Sequence, residues 1–355
     1  MTAKIARLPP APASLATVAH EAGVSVATVS RVVNGKRGRA SADTVARVED
    51  AIARLGYRPN PVGRALRRRT SRIVALLAPN LDNPAMAAIA VSTEAALRAA
   101  GYVAILCDTH DRPDLQDDYL EAMRGQFVAG YVMVSAVASP GLQRIIERRD
   151  PLVFVARRNP FGGGAFVGID DRAAGADAAD YLLASGVQRP GVLLPSQNAA
   201  STAERAAGFL ARLRDRGVAD HAVTRASTAG LNHIEIGYAA TRQLVADHGW
   251  PDGLFCVSDL IAYGAYRLVR EAGLAIPADC RLVSVDGNAL NIWLAPWLTS
   301  IRIPYETYGD HILSQLRALW DGGAVSDIHA PHRLIEPPIA KATDDATALE
   351  RATGG

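Results

Sequence analysis

Four places in the body of this 355-residue chain put polar side chains where an apolar run gives way to a helix. They are Asp170-Asp171, the stretch from Gln197 to Arg205, Ser258-Asp259 and Asp286-Gly287-Asn288. An arginine and several carboxylates around one cleft suit a hydroxyl-rich ligand, because charged groups make the stronger hydrogen bonds. At Asp259, which follows a strand, helix capping competes with ligand contact as the reason for the residue. The chain contains no GxSxG elbow, no HExxH pair and no phosphate-binding loop, so the motifs do not point to an enzyme. Gly162-Gly163-Gly164 reads as a flexible turn, since no helix follows to present amides. Cys107, Cys256 and Cys280 are odd in number, far apart and never in a CxxC pair. They read as small core hydrophobes in a reducing cytoplasm, with no metal and no cofactor expected.

A second chemistry sits at the N-terminus. Residues 1 to 72 contain 14 Lys/Arg and 4 Asp/Glu, a charge of +10; the remainder has 24 and 32, or −8. A cationic head on an anionic body suits a polyanion that only the head binds. No apolar run reaches the ~18 residues of a membrane span. The opening MTAKIARLPPAPAS lacks the apolar core of a secretion signal, so a cytoplasmic protein without membrane contact is expected.

The head must position its own polar residues. In LATVAHEAGVSVATVSRVV, Leu15, Val18, Ala19 and Ala22 form one helical stripe behind the cap Ser14. Gly23 turns the chain, Ser25 caps a second helix, and Val29, Val32 and Val33 point inward. Asn34-Gly35 ends that helix, and a third runs from Ser41 to about Leu55. This is a helix-turn-helix, whose second helix fits a DNA major groove. Gly35-Lys36-Arg37-Gly38-Arg39 suits phosphate contacts. Pro59 and Pro61 then bar continuation of helix three, and Asn60 caps a short helix that is marginal on its own.

From Arg72 onward apolar runs such as IVALLA, YVAILCD, GYVMVS and LVFVA alternate with amphipathic helices, and the cycle restarts after Asp170. Runs apolar on both faces between helices indicate parallel sheets covered on each side, here in two lobes. Ligands of such sheets bind beyond the carboxyl ends of the strands.

AHEAGVSVATVSRVVNG followed by LGYRPNPVGRALR resembles the headpiece and hinge of the lactose-repressor (LacI/GalR) family of bacterial transcription regulators. The resemblance implies an all-α helix-turn-helix headpiece on an α/β body like periplasmic sugar-binding proteins, with two doubly wound parallel-sheet lobes. The expected division is an arm at 1–13, headpiece at 14–58, hinge at 59–71, body at 72–340 and tail at 341–355. Lobe 1 would take about 72–170 and 304–322, lobe 2 about 171–300 and 323–340. By the same resemblance Val26, Ala27 and Arg31 read bases, Thr28 and Ser30 touch phosphate, and Leu66 wedges open a base step. Thr17, Ser25, Asn34, Arg58, Asn60, Val62 and Gly63 complete the DNA face; Gly63 departs from the alanine usual there. Arg205 matches the effector-binding arginine, Asp286 the aspartate that accepts effector hydroxyls, and Asp170 a crossover aspartate. Met86 and Tyr305 match pocket positions; Ser258 replaces a common asparagine, and Asn232 lies near a common aromatic. Asp259 completes the candidate set, while Trp293 and Trp297 are expected to pack in the core. The implied function is an effector-responsive repressor that binds a near-palindromic double-stranded operator as a homodimer, its effector a sugar or similar polar metabolite. A transport-associated binding protein or an enzyme on the same fold is the alternative. The tail after Pro338 has only Ile339 and Leu349 as large apolar residues, too few for a heptad seam that would make a tetramer.

Overall fold

A computed structural model describes residues 13–35, 40–57, 71–196, 200–230 and 232–337. The chain divides into two compact units, 1–71 and 72–355.

In the first unit α1 (Leu15–Ala22), α2 (Val26–Val33) and α3 (Ala42–Leu55) surround a small core of Val18, Val29, Val48 and Ala51. Each helix starts at a serine whose hydroxyl accepts the amide of a threonine three residues on: Ser14–Thr17, Ser25–Thr28 and Ser41–Thr44. Such caps contribute about 1 kcal/mol each, which matters in helices of 8 residues. Gly23 and Gly56 end α1 and α3 in the left-handed conformation.

The second unit holds two six-stranded sheets. Lobe 1 contains β1 (Ile73–Ala78), β2 (Val103–Asp108), β3 (Gly130–Val134), β4 (Leu152–Val155), β5 (Ala165–Gly168) and β11 (Asp327–His329), ordered β11-β5-β4-β3-β1-β2. Lobe 2 contains β6 (Pro190–Pro195), β7 (Thr224–Thr228), β8 (Gly253–Cys256), β9 (Arg281–Asp286), β10 (Thr299–Arg302) and β12 (Arg333–Ile335), ordered β12-β10-β9-β8-β6-β7. The central strands are buried on both faces, as doubly covered sheets require; the exposed strand residues lie on the edges β2, β7, β11 and β12. All pairs are parallel except β10–β12.

Helices of lobe 1 are α4 (Pro84–Ala99), α5 (Pro113–Gly125), α6 (Pro140–Glu147) and α12 (Tyr308–Trp320). The first three begin on a proline, whose missing N–H costs nothing in a first turn. Lobe 2 has α7 (Asp171–Ala184), α8 (Ala200–Asp215), α9 (His233–His248), α10 (Asp259–Glu271) and the single turn α11 (Asn291–Leu294). Two of these helices, α7 and α8, touch backbone to backbone. A Cβ on Gly175 of α7 would lie 1.9 Å from the Arg205 carbonyl oxygen, and one on Gly208 of α8 would lie 2.0 Å from that of Arg172.

The chain crosses between lobes three times. Strand β10 places residues 299–302 in lobe 2, and β11 returns 327–329 to lobe 1, beyond the expected boundary near 322. Both strands are short and end in charged residues, so neither has an apolar run to mark it. Among the described residues no helix is long and apolar enough to cross a membrane.

Candidate functional site

In the headpiece, α2 buries Val29 and Val32 and leaves Ser25, Val26, Ala27, Arg31 and Asn34 exposed on its other side. Val26 is 46% exposed although apolar. Thr28 and Ser30 are half-buried; Thr28 donates its amide to Ser25 and shares a 2.9 Å hydroxyl contact with it. Asn34 donates its side-chain amide to the Ser30 carbonyl at 2.6 Å. Exposed Thr17 closes the capping box of α1. Arg58, Asn60, Val62, Gly63 and Leu66 lie outside the described residues, as do Lys36 to Arg39.

In the body, the candidate ligand chemistry gathers on Arg205. The close approach of α7 to α8 at Gly175 brings the start of α7 beside it. Arg205 Nε donates to Asp171 Oδ1 at 2.8 Å, and Nη1 donates to the Val257 carbonyl at 2.9 Å and to Asp286 Oδ1 at 3.5 Å. Tyr305 Oη donates to the same Asp286 oxygen at 3.0 Å. Arg205 is 7% exposed and Asp286 8%. A charge so buried must be paired: burial opposes the arginine's charge, but Asp171 and Asp286 outweigh it and hold it ionised. Burial pushes the Asp286 carboxyl up to about 7, with Arg205 pulling it back and Asp259 adding to the rise. His233 Nδ1 lies 3.0 Å from Ser258 Oγ, and burial, then Arg205, hold its imidazole below the usual histidine range.

A cavity of about 810 Å³ opens beside this cluster. Pro84, Ala87 and Val91 of α4 form one wall, and Asp286, Asn288 and Tyr305 belong to its rim from the other lobe and the crossover. Arg205, Ser258, Asn232 and Met86 do not line it.

Several expected site residues have other work. Asp170 is the N-cap of α7: exposed, it accepts the Ala173 amide at 2.9 Å, and its neighbour Asp171 is the carboxylate that reaches Arg205. Both follow β5, but only the first helical residue turns toward α8. Asn232 caps α9, accepting the amides of Ile234 and Glu235. Ser258, expected at the ligand, caps α10 instead, so the capping role that competed with ligand contact at Asp259 falls to its neighbour. Met86 is half-buried against the core of lobe 1. Trp293 is 76% exposed rather than packed in the core, whereas Trp297 stacks on Tyr266 with centroids 3.9 Å apart. Arg205, Asp286 and Tyr305 are the candidates that come together. Asp171 was the missed member, and the Asp-Asp pair at a strand end was its only sign.

Residues 14–60 match the model for bacterial regulatory proteins of the lacI family, and 179–342 match a periplasmic binding protein-like domain. The chain is 30% identical to the ribose operon repressor of Halalkalibacterium halodurans, over 82% of this chain and 86% of that one. It is 35% identical to an uncharacterized HTH-type transcriptional regulator of Streptomyces limosus, over 83% and 84%. Among solved structures it resembles a complex of the transcriptional regulator CelR with cellobiose: 27% identity, TM-score 0.67, 92% of this chain and 100% of that one. It also superposes on the lac repressor dimer bound to operator and an anti-inducer, with TM-score 0.80 over 92% and 98% of the chains. At 23% identity that last likeness speaks for the fold.

Proposed function

Because the chain belongs to the lacI family of bacterial regulatory proteins, we propose that it is a cytoplasmic transcriptional repressor whose hold on DNA is set by a small polar effector. Two copies bind a near-palindromic operator. Arg31 pairs with a base edge in the major groove, while Val26 and Ala27 touch thymine methyls or leave space. The segment after Tyr57 carries Leu66 as a minor-groove wedge, at a cost of a few kcal/mol of unstacking offset by new contacts. Arg58, Asn60, Val62 and Gly63 accompany it.

The effector is a sugar or sugar derivative met by Asp286 and Tyr305, which line the cavity, with Arg205 buried behind them to set their charge and orientation. The observation that carries this reading is one buried arginine between two carboxylates at the carboxyl ends of the strands, with a tyrosine hydroxyl on the same oxygen. Charge-assisted donors and acceptors in that arrangement match vicinal hydroxyls. The effector need only favour one arrangement of the lobes over another to alter operator affinity. Binding and release suffice for this role, and no turnover is assigned to the site.

Fluorescence anisotropy with the protein's own upstream DNA, with and without sugars, tests the reading. Arg31→Ala should weaken operator binding by about 1–3 kcal/mol, and Leu66→Ala should reduce it further. Unchanged affinity in both variants would overturn it.

A further inference from the structure

Asp259 is 1% exposed, at the first position of α10, and it caps nothing. Its two oxygens are filled from three separate elements. Oδ1 receives the hydroxyls of Ser284 on β9 at 2.5 Å and Ser300 on β10 at 2.6 Å. Oδ2 receives the backbone amide of Asn288 at 2.7 Å and the side-chain amide of Asn291 at 2.8 Å. Four donors leave no oxygen for a ligand, so Asp259 does not fit the direct contact expected of it. What its donors share is the turn that follows β9. Ser300 also accepts the Gly287 amide at 3.0 Å, and Asn291 accepts the hydroxyl of Tyr263 from α10. At the head of that turn Asp286 has φ 126, a conformation that L residues rarely adopt and that persists only where the surroundings over-determine it. The other side of the turn is fixed by contact: a Cβ on Gly287 would lie 2.5 Å from the Arg302 Cα.

We propose that Asp259 is the positioning residue of the effector site, clamping the Asp286–Asn291 turn so that the Asp286 carboxyl is held against Arg205 and Tyr305. The inference rests on the reading of that cluster as the effector site. An ionised carboxylate is the side chain that can take donors on every side; an asparagine must point its NH2 at one pair of them. Hydroxyls can reverse and backbone amides cannot, so the NH2 of Asp259→Asn turns to the serines. Ser284 and Ser300 then accept where they had donated, their own O–H groups lose the Asp259 oxygen, and Ser300 must reorient while it still holds the Gly287 amide, so that link loosens first.

The test uses full-length Asp259→Asn and Asp259→Ala beside wild type. Hydrogen exchange of the ligand-free protein should show the Gly287 and Asn288 amides opening about tenfold faster in the asparagine variant, and faster still in the alanine variant. Thermal melting and binding to the protein's own upstream DNA should change little in Asp259→Asn. The Asp286 carboxyl, followed by 13C NMR, should titrate lower in the variants than in wild type, because the Asp259 charge that adds to its rise is gone. Ribose and cellobiose, titrated by calorimetry, should bind Asp259→Asn about tenfold more weakly than whichever of them binds wild type. Unchanged exchange and an unchanged Asp286 titration overturn the proposal, as does undiminished sugar binding. If neither sugar binds wild type, the choice of effector fails, and the exchange and titration results still decide the role of Asp259.

Discussion

The two lobes of the body repeat one strand order, and the fourth strand to enter each sheet makes the comparison sharp. In lobe 1 that strand is β4, followed by Ala156 at φ 61; in lobe 2 it is β9, ending on Asp286 at φ 126. Both sheets therefore kink a non-glycine residue into positive φ at corresponding ends. Only lobe 2 puts a charged group there, and it surrounds that group with Arg205, Asp171 and the Asp259 network. The strand-end carboxylate of lobe 1, Asp108, instead accepts the backbone amides of Asn80, Leu81 and His110 and holds a turn. One backbone plan thus serves as scaffold in one lobe and as chemistry in the other.

The comparison breaks first at Arg205. Arg205→Ala leaves Asp171 and Asp286 buried without their cation, which should cost about 3–5 kcal/mol. Denaturant unfolding reads that loss, and operator binding should no longer respond to effector. In lobe 1, Arg157→Ala removes a looser 3.5 Å pair with partly exposed Asp111 and should cost far less. Next comes packing: Gly208→Ala drives a methyl into the Arg172 carbonyl and should destabilise by about 1–3 kcal/mol, while displacing the start of α8 that carries Arg205.

The pH dependence follows from Asp286. Its folded pKa of about 7 lies above the ordinary 3.8, so the folded state holds the proton more tightly. The group's contribution is fully present at low pH and is lost as pH rises between those values. Asp286→Asn should remove that slope, and melts across the window should show the variant gaining on wild type toward neutrality. The smallest effect is expected at the scaffold end. Ala156→Gly relieves a left-handed alanine and should change stability by no more than about 1 kcal/mol, with effector response intact. Asp286→Gly, at the matching position, should abolish that response.

Much of this was legible in the residues. The central strands announce themselves because burial on both faces leaves unbroken apolar runs, and the headpiece because three serine caps and two glycines punctuate it. Edge strands β11 and β12 have three residues each and carry charges, so their pairing depends on neighbours far away in the chain. The site was legible to the level of Arg205, Asp286 and Tyr305. Asp170 and Asp171 could not be told apart, because which one caps is settled by the angle at which β5 enters α7. Nor could the Asp259 network be read, since its donors come from positions 284, 288, 291 and 300 and meet only once the sheet has formed.

The order in which the ribosome delivers this chain now has a meaning. Lobe 1 lacks its β5 edge partner until residues 327–329 have been made, and lobe 2 its last strand until 333–335. In the three-helix tip every described residue of the small core lies before residue 58. Domains fold as they emerge, N-terminal first, so on every translating message the helix-turn-helix has its core long before the part that listens.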